Sequence, residues 1–343
     1  MADDTDAKPS LWQRFVAWLR RVFRRPIPPG RFETGRSKLV WRGMLRLAPF
    51  VSPRREYLLY VHAGYSRWRA SPLLVLIHGC KQTPEDIAQG TRITELADRD
   101  QFLVLMPRQK KSANLWRCWN WFDTRTMAGD GEAAIVAAQV RQVQNSFSVD
   151  PQRIHVAGIS SGGILTATLA LTHPDIVKAA VVHSGGACGA ASSALTAMKA
   201  MEEGTTADVL RIADGARKAA GREGVLVPLL AIHGEDDQTV ASANANALVR
   251  QFLRFNDHPA VRDASGPVTE LPPADETRRE TSDPARTITT YDWRREGRLV
   301  VRYVSVAGLG HAWSGGNDAL PYNDPRAPSA LELWRRFASD VKA

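Results

Sequence analysis

The sequence predicts an α/β fold with a mostly parallel central sheet and helices on both faces, and three observations predict it. Short apolar runs alternate with helical patterns along the chain, the order that βαβ units produce. One apolar run leads through a Gly/Ser turn straight into a helical segment. The composition, 44% hydrophobic and 24% charged over 343 residues, is that of a globular chain with enough material for one large core.

Strands are expected at 57–61, 73–77, 102–106, 154–157, 179–182, 229–232 and 299–306, where β-branched and aliphatic residues cluster. Helices are expected at 132–147, 163–172, 207–220, 241–255 and 330–341, where apolar residues recur every three or four positions. The stretch 257–286 is rich in Pro, Asp, Thr and Arg without periodicity and is expected as a long surface excursion. No internal repeat is found, and no apolar run approaches the roughly 18 residues of a membrane span.

The front end differs from the rest. Over 11–23, Trp12, Phe15, Val16, Leu19, Val22 and Phe23 fall at helical spacing with arginines mostly elsewhere on the wheel, a basic amphipathic helix. Pro26, Pro28, Pro29 and Gly30 end it. Residues 1–30 are therefore expected as an extension and linker, and 31–343 as one catalytic domain.

The net charge of +9 is confined to this end. Twelve Lys/Arg against Glu33 between Leu11 and Arg55 give +11, and Met1 to Ser10 give −2, so the remainder is neutral. The charge describes the extension rather than the body, and no nucleic-acid motif accompanies it. An apolar stripe backed by arginines points to peripheral association of the helix with a polymer granule or an anionic membrane, or to docking on the body. The chain opens with acidic residues and has no apolar stretch before a small-residue cleavage site, so export by the ordinary route is not expected. Cys80, Cys118 and Cys188 allow at most one bridge and lack metal-ligand spacing.

Gly158-Ile159-Ser160-Ser161-Gly162 matches G-x-S-x-G. It follows an expected strand and precedes an expected helix, which is the setting of a nucleophile elbow and points to an α/β-hydrolase fold with Ser160 as nucleophile. A serine hydroxyl is weakly nucleophilic at neutral pH and needs a histidine base held by an acid. In the chain order of such folds the acid follows the serine and the histidine comes last. Asp236 and Asp237 lie just past the run at 229–232, and His311 lies in a Gly-flanked loop just past 299–306. Two backbone N–H donors are required for the oxyanion, and Ser161 with Cys80, in the loop after 73–77, are the candidates. This chemistry requires no cofactor and no metal.

The other histidines receive lesser roles. His78 and His233, each before a glycine at a strand end, are expected to be structural hydrogen-bonders. His183 with Ser184 is a weaker triad candidate, because no glycine stands two positions before that serine. The cluster Trp116, Trp119, Trp121 and Phe122 is expected to divide between core packing and an apolar wall for substrate, with at least one ring at the cleft.

From about Arg31 onward the chain resembles the esterases related to poly(3-hydroxybutyrate) depolymerase, a group that includes feruloyl and acetyl-xylan esterases. The resemblance rests on Ile77-His78-Gly79-Cys80 with Gln82-Thr83-Pro84, Cys118-Trp119-Asn120-Trp121-Phe122, Val156-Ala157-Gly158-Ile159-Ser160, His233-Gly234 with Asp237, and Gly310-His311-Ala312-Trp313-Ser314-Gly315-Gly316. It implies that the acid is Asp237 rather than Asp236, and that the substrate is a hydroxyalkanoate polyester or oligomer, or a feruloyl or acetyl ester. It also implies an extracellular enzyme, against the missing signal layout. Ser161 departs from the small Ala usual after the nucleophile. Trp119, Asn120, Trp121 and Trp313, which fall in these motifs, are the candidate substrate contacts. A Cys80–Cys118 bridge that pins the aromatic loop to the site is one expectation, and free buried thiols are its alternative. Against the enzyme stands a catalytically silent binding protein of the same fold.

Overall fold

Ten strands form one sheet in the order β1-β2-β4-β3-β5-β6-β7-β10-β9-β8. The computed structural model describes residues 29–38, 54–221, 225–265, 270–282 and 286–341. The expected helix at 11–23 and most of the proline linker lie outside them.

The middle six strands are parallel: β4 (Leu103–Pro107), β3 (Ser71–Ile77), β5 (Val149–Ile159), β6 (Ala179–His183), β7 (Leu229–Gly234) and β10 (Arg298–Val306). β4, β6 and β7 are buried at every position, as expected of strands covered on both faces. Alternation then sorts the side chains. Leu73, Val75, Ile77, Val156 and Val182 join one core with α4 (Gly131–Ser146), α5 (Ser161–Thr172), α7 (Val209–Ala220) and α8 (Ala243–Phe255). Leu74, Leu76, Ala157, Val181 and Ile232 join the other with α1 (Pro84–Thr91), α2 (Ile93–Asp100) and α9 (Ala330–Asp340). A period of two thus feeds two helical layers.

All seven expected strands and all five expected helices are present, shifted by a few residues at their ends. The excursion at 257–286 is corrected in part. Its second half contains β8 (Glu276–Ser282), which pairs antiparallel with β9 (Arg286–Arg295) and extends the sheet beyond β10. At the other edge, β1 (Arg31–Lys38) pairs antiparallel with β2 (Arg54–Val61). Both outermost strands, RFETGRSK and ETRRETS, are charged, which blocks edge-to-edge association and hides them from a search for apolar runs. The short helix α6 (Ala194–Glu203) packs Ala197 and Ala200 with Trp121 and Ile164 in a small separate cluster, and α3 (Thr124–Met127) is a single turn before α4. β11 (Trp313–Ser314) and β12 (Asn323–Asp324) form a separate two-stranded piece after β10.

Candidate active site

Because β3, β5, β7 and β10 run parallel, the loops carrying Cys80, Ser160, Asp237 and His311 all leave the same edge of the sheet. Ser160 sits between β5 and α5 at φ 57° and ψ −125°, a left-handed conformation that costs a non-glycine residue on the order of 1 to 3 kcal/mol. It is held there by its N–H donating to His183 O at 3.0 Å and its carbonyl accepting from Ile164 N–H at 3.1 Å. The flanking glycines answer to close approach. A Cβ on Gly158 would stand 2.4 Å from Gly162 O, and one on Gly162 would stand 2.4 Å from His78 O.

Asp237 has a fully buried side chain and His311 one 16% exposed. Asp237 Oδ1 accepts from Thr239 N–H at 3.0 Å and Val240 N–H at 2.8 Å, while Oδ2 accepts from His311 Nδ1 at 2.8 Å. Burial alone would raise this carboxyl, but the His311 hydrogen bond and charge, helped by Val240, carry it below its ordinary range. With its proton on Nδ1, His311 presents Nε2 as the basic nitrogen. Among the described residues no hydrogen bond yet joins Ser160 Oγ to His311; such contacts tighten with substrate. Asp236 is exposed and contributes its backbone N–H to Leu309 O at 3.1 Å.

Three buried histidines end strands beside these loops. His78 Nδ1 lies 2.7 Å from Gly79 O, and Nε2 accepts from Gln109 N–H at 3.2 Å; burial pulls its pKa down to about 4. His233 Nε2 donates to Val240 O at 2.7 Å, bracing the turn that holds Asp237, and burial lowers it too. Both act as structural hydrogen-bonders, as expected. His183 is no triad base: Ser184 beside it is fully buried, at φ 45°.

The loop that carries Cys80, the candidate oxyanion donor, is shaped by its own side chains. Gly79 N–H donates to Gln82 Oε1 at 2.8 Å, and the Cys80 and Ser161 N–H groups have no protein partner among the described residues. Cys80 and Cys118 are bonded, and Cys188 is a buried free thiol. The Ser161 hydroxyl, an addition relative to the usual Ala, accepts from Trp119 N–H at 3.3 Å and lies 3.4 Å from Cys80 Sγ. Buried Glu132 holds the loop from behind, accepting from Gln109 Nε2, from Asn120 N–H at 2.7 Å and from Asn120 Nδ2 at 3.1 Å. Burial raises its carboxyl despite these bonds. The bracing roles of Gln82, Gln109 and Glu132 were not anticipated, although Gln82 falls in one of the motifs that carry the resemblance; a glutamate opening an otherwise apolar helical run was the available signal for Glu132.

Three of the four candidate substrate contacts are buried side chains. Trp119, Trp121 and Trp313 are 1%, 3% and 3% exposed, Trp119 Nε1 donates to His78 O at 2.9 Å, and Trp313 stacks on His183 at 5.1 Å. Asn120 spends its amide within the protein on Glu132 and Asn114. These residues build the site's wall from inside. The exposed apolar groups of this loop are Leu115 and Trp116, 83% and 64% exposed, with Lys81 Nζ 5.3 Å from the Trp116 ring.

The bridge closes a loop of 38 residues, for which chain entropy gives a stabilisation of about 4 kcal/mol. Thiol titration of denatured, unreduced protein is expected to find one thiol, Cys188. Reduction is expected to lower both melting temperature and turnover, because Cys80 is also a candidate oxyanion donor. Three titratable thiols would remove the bridge.

Residues 55–282 match the family model described as Esterase PHB depolymerase. The chain is 32% identical over 204 residues to poly(3-hydroxyalkanoate) depolymerase C of Paucimonas lemoignei, covering 59% of this chain and 49% of that one. It is 29% identical over 201 residues to feruloyl esterase B of Thermothelomyces thermophilus, covering 57% and 69%. The chain thus spans about half of the depolymerase. Among solved structures, an acetyl xylan esterase from Aspergillus awamori is similar at TM-score 0.64 and 19% identity, over 81% of this chain and 94% of that one. At that identity the likeness bears on the fold, an α/β-hydrolase. With the family model matched across most of the described sheet and both the elbow and the acid loop inside the matched range, the chain belongs to the esterase PHB depolymerase family.

Proposed function

We propose that the protein is a serine carboxylic-ester hydrolase that works through an acyl-enzyme. The observation that carries this reading is the 2.8 Å Asp237–His311 hydrogen bond at the same sheet edge as Ser160 in its strained elbow. Ser160 Oγ attacks the ester carbonyl while His311 Nε2 takes its proton. The oxyanion forms against the Cys80 and Ser161 N–H groups, at the start of α5, where the helix dipole also favours negative charge. Protonated His311 then passes the proton to the departing alkoxide, and water repeats the sequence to release the acid. Asp237 stays ionised throughout, steadying the imidazolium.

For substrate we propose hydroxyalkanoate oligomers or polyester. The likeness to a poly(3-hydroxyalkanoate) depolymerase and the exposed Leu115 and Trp116 on the loop beside Cys80 favour an apolar, extended chain. Feruloyl and acetyl-xylan esters are the second reading, favoured by the feruloyl esterase relative. The purified protein is expected to turn over p-nitrophenyl butyrate and to release 3-hydroxybutyrate from its oligomers faster than it cleaves methyl ferulate or acetylated xylan. No turnover of any ester would leave the silent binding protein, and faster cleavage of the ferulate or xylan would transfer the assignment to that substrate.

A further inference from the structure

We propose that His183 is a positioning residue that ties the loop bearing His311 to the nucleophile elbow. The proposal rests on the reading of Ser160 and His311 as nucleophile and base. β6 lies between β5 and β7, and His183, its last residue, pairs in register with Ile159 on one side and Ile232 on the other. Its backbone and its ring face different halves of the site. The carbonyl accepts from Ser160 N–H at 3.0 Å, and ring Nε2 accepts from Ser314 N–H at 3.0 Å, 131 residues along the chain. The ring also stacks on Trp313 with an interplanar angle of 24°.

The tie has few substitutes. Ser314 Oγ is buried and has no hydrogen-bond partner among the described residues, so the backbone N–H is that residue's polar anchor toward the elbow. Other backbone bonds of the segment run away from the elbow, from Trp313 N–H to Tyr322 O, from Gly315 N–H to Asp324 O and from Asn317 N–H to Gly90 O of α1, each at 2.8 Å, while Ala312 N–H donates locally to Gly310 O at 2.9 Å. His311 itself is held by Asp237, which fixes the ring but not its distance from Ser160. Through His183 the sheet supplies that distance.

The arrangement requires one tautomer. With Nε2 accepting, the proton stands on Nδ1, 3.1 Å from Ser184 Oγ. A protonated ring would aim an N–H at the Ser314 N–H and break the tie. Burial, and then the charges of His233 and His311, keep the ring neutral, with its pKa pushed down to about 3.

His183→Phe keeps the stacking and much of the volume but removes the acceptor; His183→Gln loses the ring and offers an amide oxygen near the place of Nε2. On p-nitrophenyl butyrate, well below the melting transition, His183→Phe is expected to lower kcat by about 10- to 100-fold, the scale of a misplacement near 1 Å, with KM held within about twofold. His183→Gln is expected to recover most of that loss. Imidazole nitrogen NMR of the unmodified protein is expected to find His183 in the Nδ1–H form across the active pH range, a readout that needs no variant to fold. Wild-type kcat in His183→Phe, equal impairment of both variants, or an Nε2–H tautomer would overturn the proposal. Full activity in Ser160→Ala, run alongside, would instead strike the functional reading on which it rests.

Discussion

Ser160→Ala and His311→Ala are each expected to lower kcat on a soluble short-chain ester by on the order of 10^6-fold, with the melting temperature nearly unchanged. On the proposed mechanism no acyl-enzyme forms without Ser160, and without His311 the hydroxyl keeps its proton during attack. Either loss disables the whole unit, so the double variant is expected to be no worse than the singles. About 10^3- to 10^4-fold acceleration over water is expected to survive through the oxyanion donors, because the Cys80 and Ser161 N–H groups belong to the backbone. Ser160 is 9% exposed, no hydrogen bond of its hydroxyl is found among the described residues, and alanine neither adds to nor relieves the φ 57° strain, so folding is not expected to suffer. Kinetics with p-nitrophenyl butyrate and covalent labelling by a fluorophosphonate check the pair. Retained labelling in Ser160→Ala would assign the nucleophile elsewhere.

The parallel core was legible because its strands are nearly continuous apolar runs, and the elbow because a pentapeptide with two glycines around its serine is bracketed by a strand and a helix. What was missed has physical reasons. β1 and β8 are edge strands whose pairing comes from backbone bonds and a neighbour in the sheet, while their side chains are mostly charged; β9, next to the edge, buries the polar Thr290 and Asp292 beside Ile288 and Trp293, so it forms no apolar run. α1 was not among the expected helices although Thr83-Pro84-Glu85-Asp86 carries its start signal: the Thr83 side chain accepts from Asp86 N–H, and Pro84 opens the helix. The aromatic cluster was visible as a cluster, but whether a ring faces the core or the cleft depends on contacts far away in sequence. Trp119 reaches back 41 residues to His78 O, and no local pattern records that. The same holds for His183, whose partner Ser314 lies in the last loop of the site.

Asp237→Asn is expected to lower kcat by about 10^4-fold, while Asp236→Asn changes it by less than about threefold. The two aspartates are neighbours with different surroundings. Asp237 Oδ1 is fixed by two backbone N–H donors, from Thr239 and Val240. An asparagine there must therefore keep its carbonyl oxygen on that side and turn its NH2 toward His311. A donor would then face Nδ1, and the imidazole would have to move its proton to Nε2, where it can no longer accept one from Ser160. The side chain remains buried and hydrogen-bonded, so the variant is expected to fold and melt close to the unmodified protein. Activity is expected to return in part at alkaline pH, where hydroxide can replace the missing base. Asp236 is exposed, and what it gives the site is a backbone N–H to Leu309 O that its asparagine retains. A dead Asp236→Asn beside an active Asp237→Asn would reverse the assignment of the acid; equal, small losses in both would mean that His311 is oriented by something other than the 2.8 Å bond to Asp237.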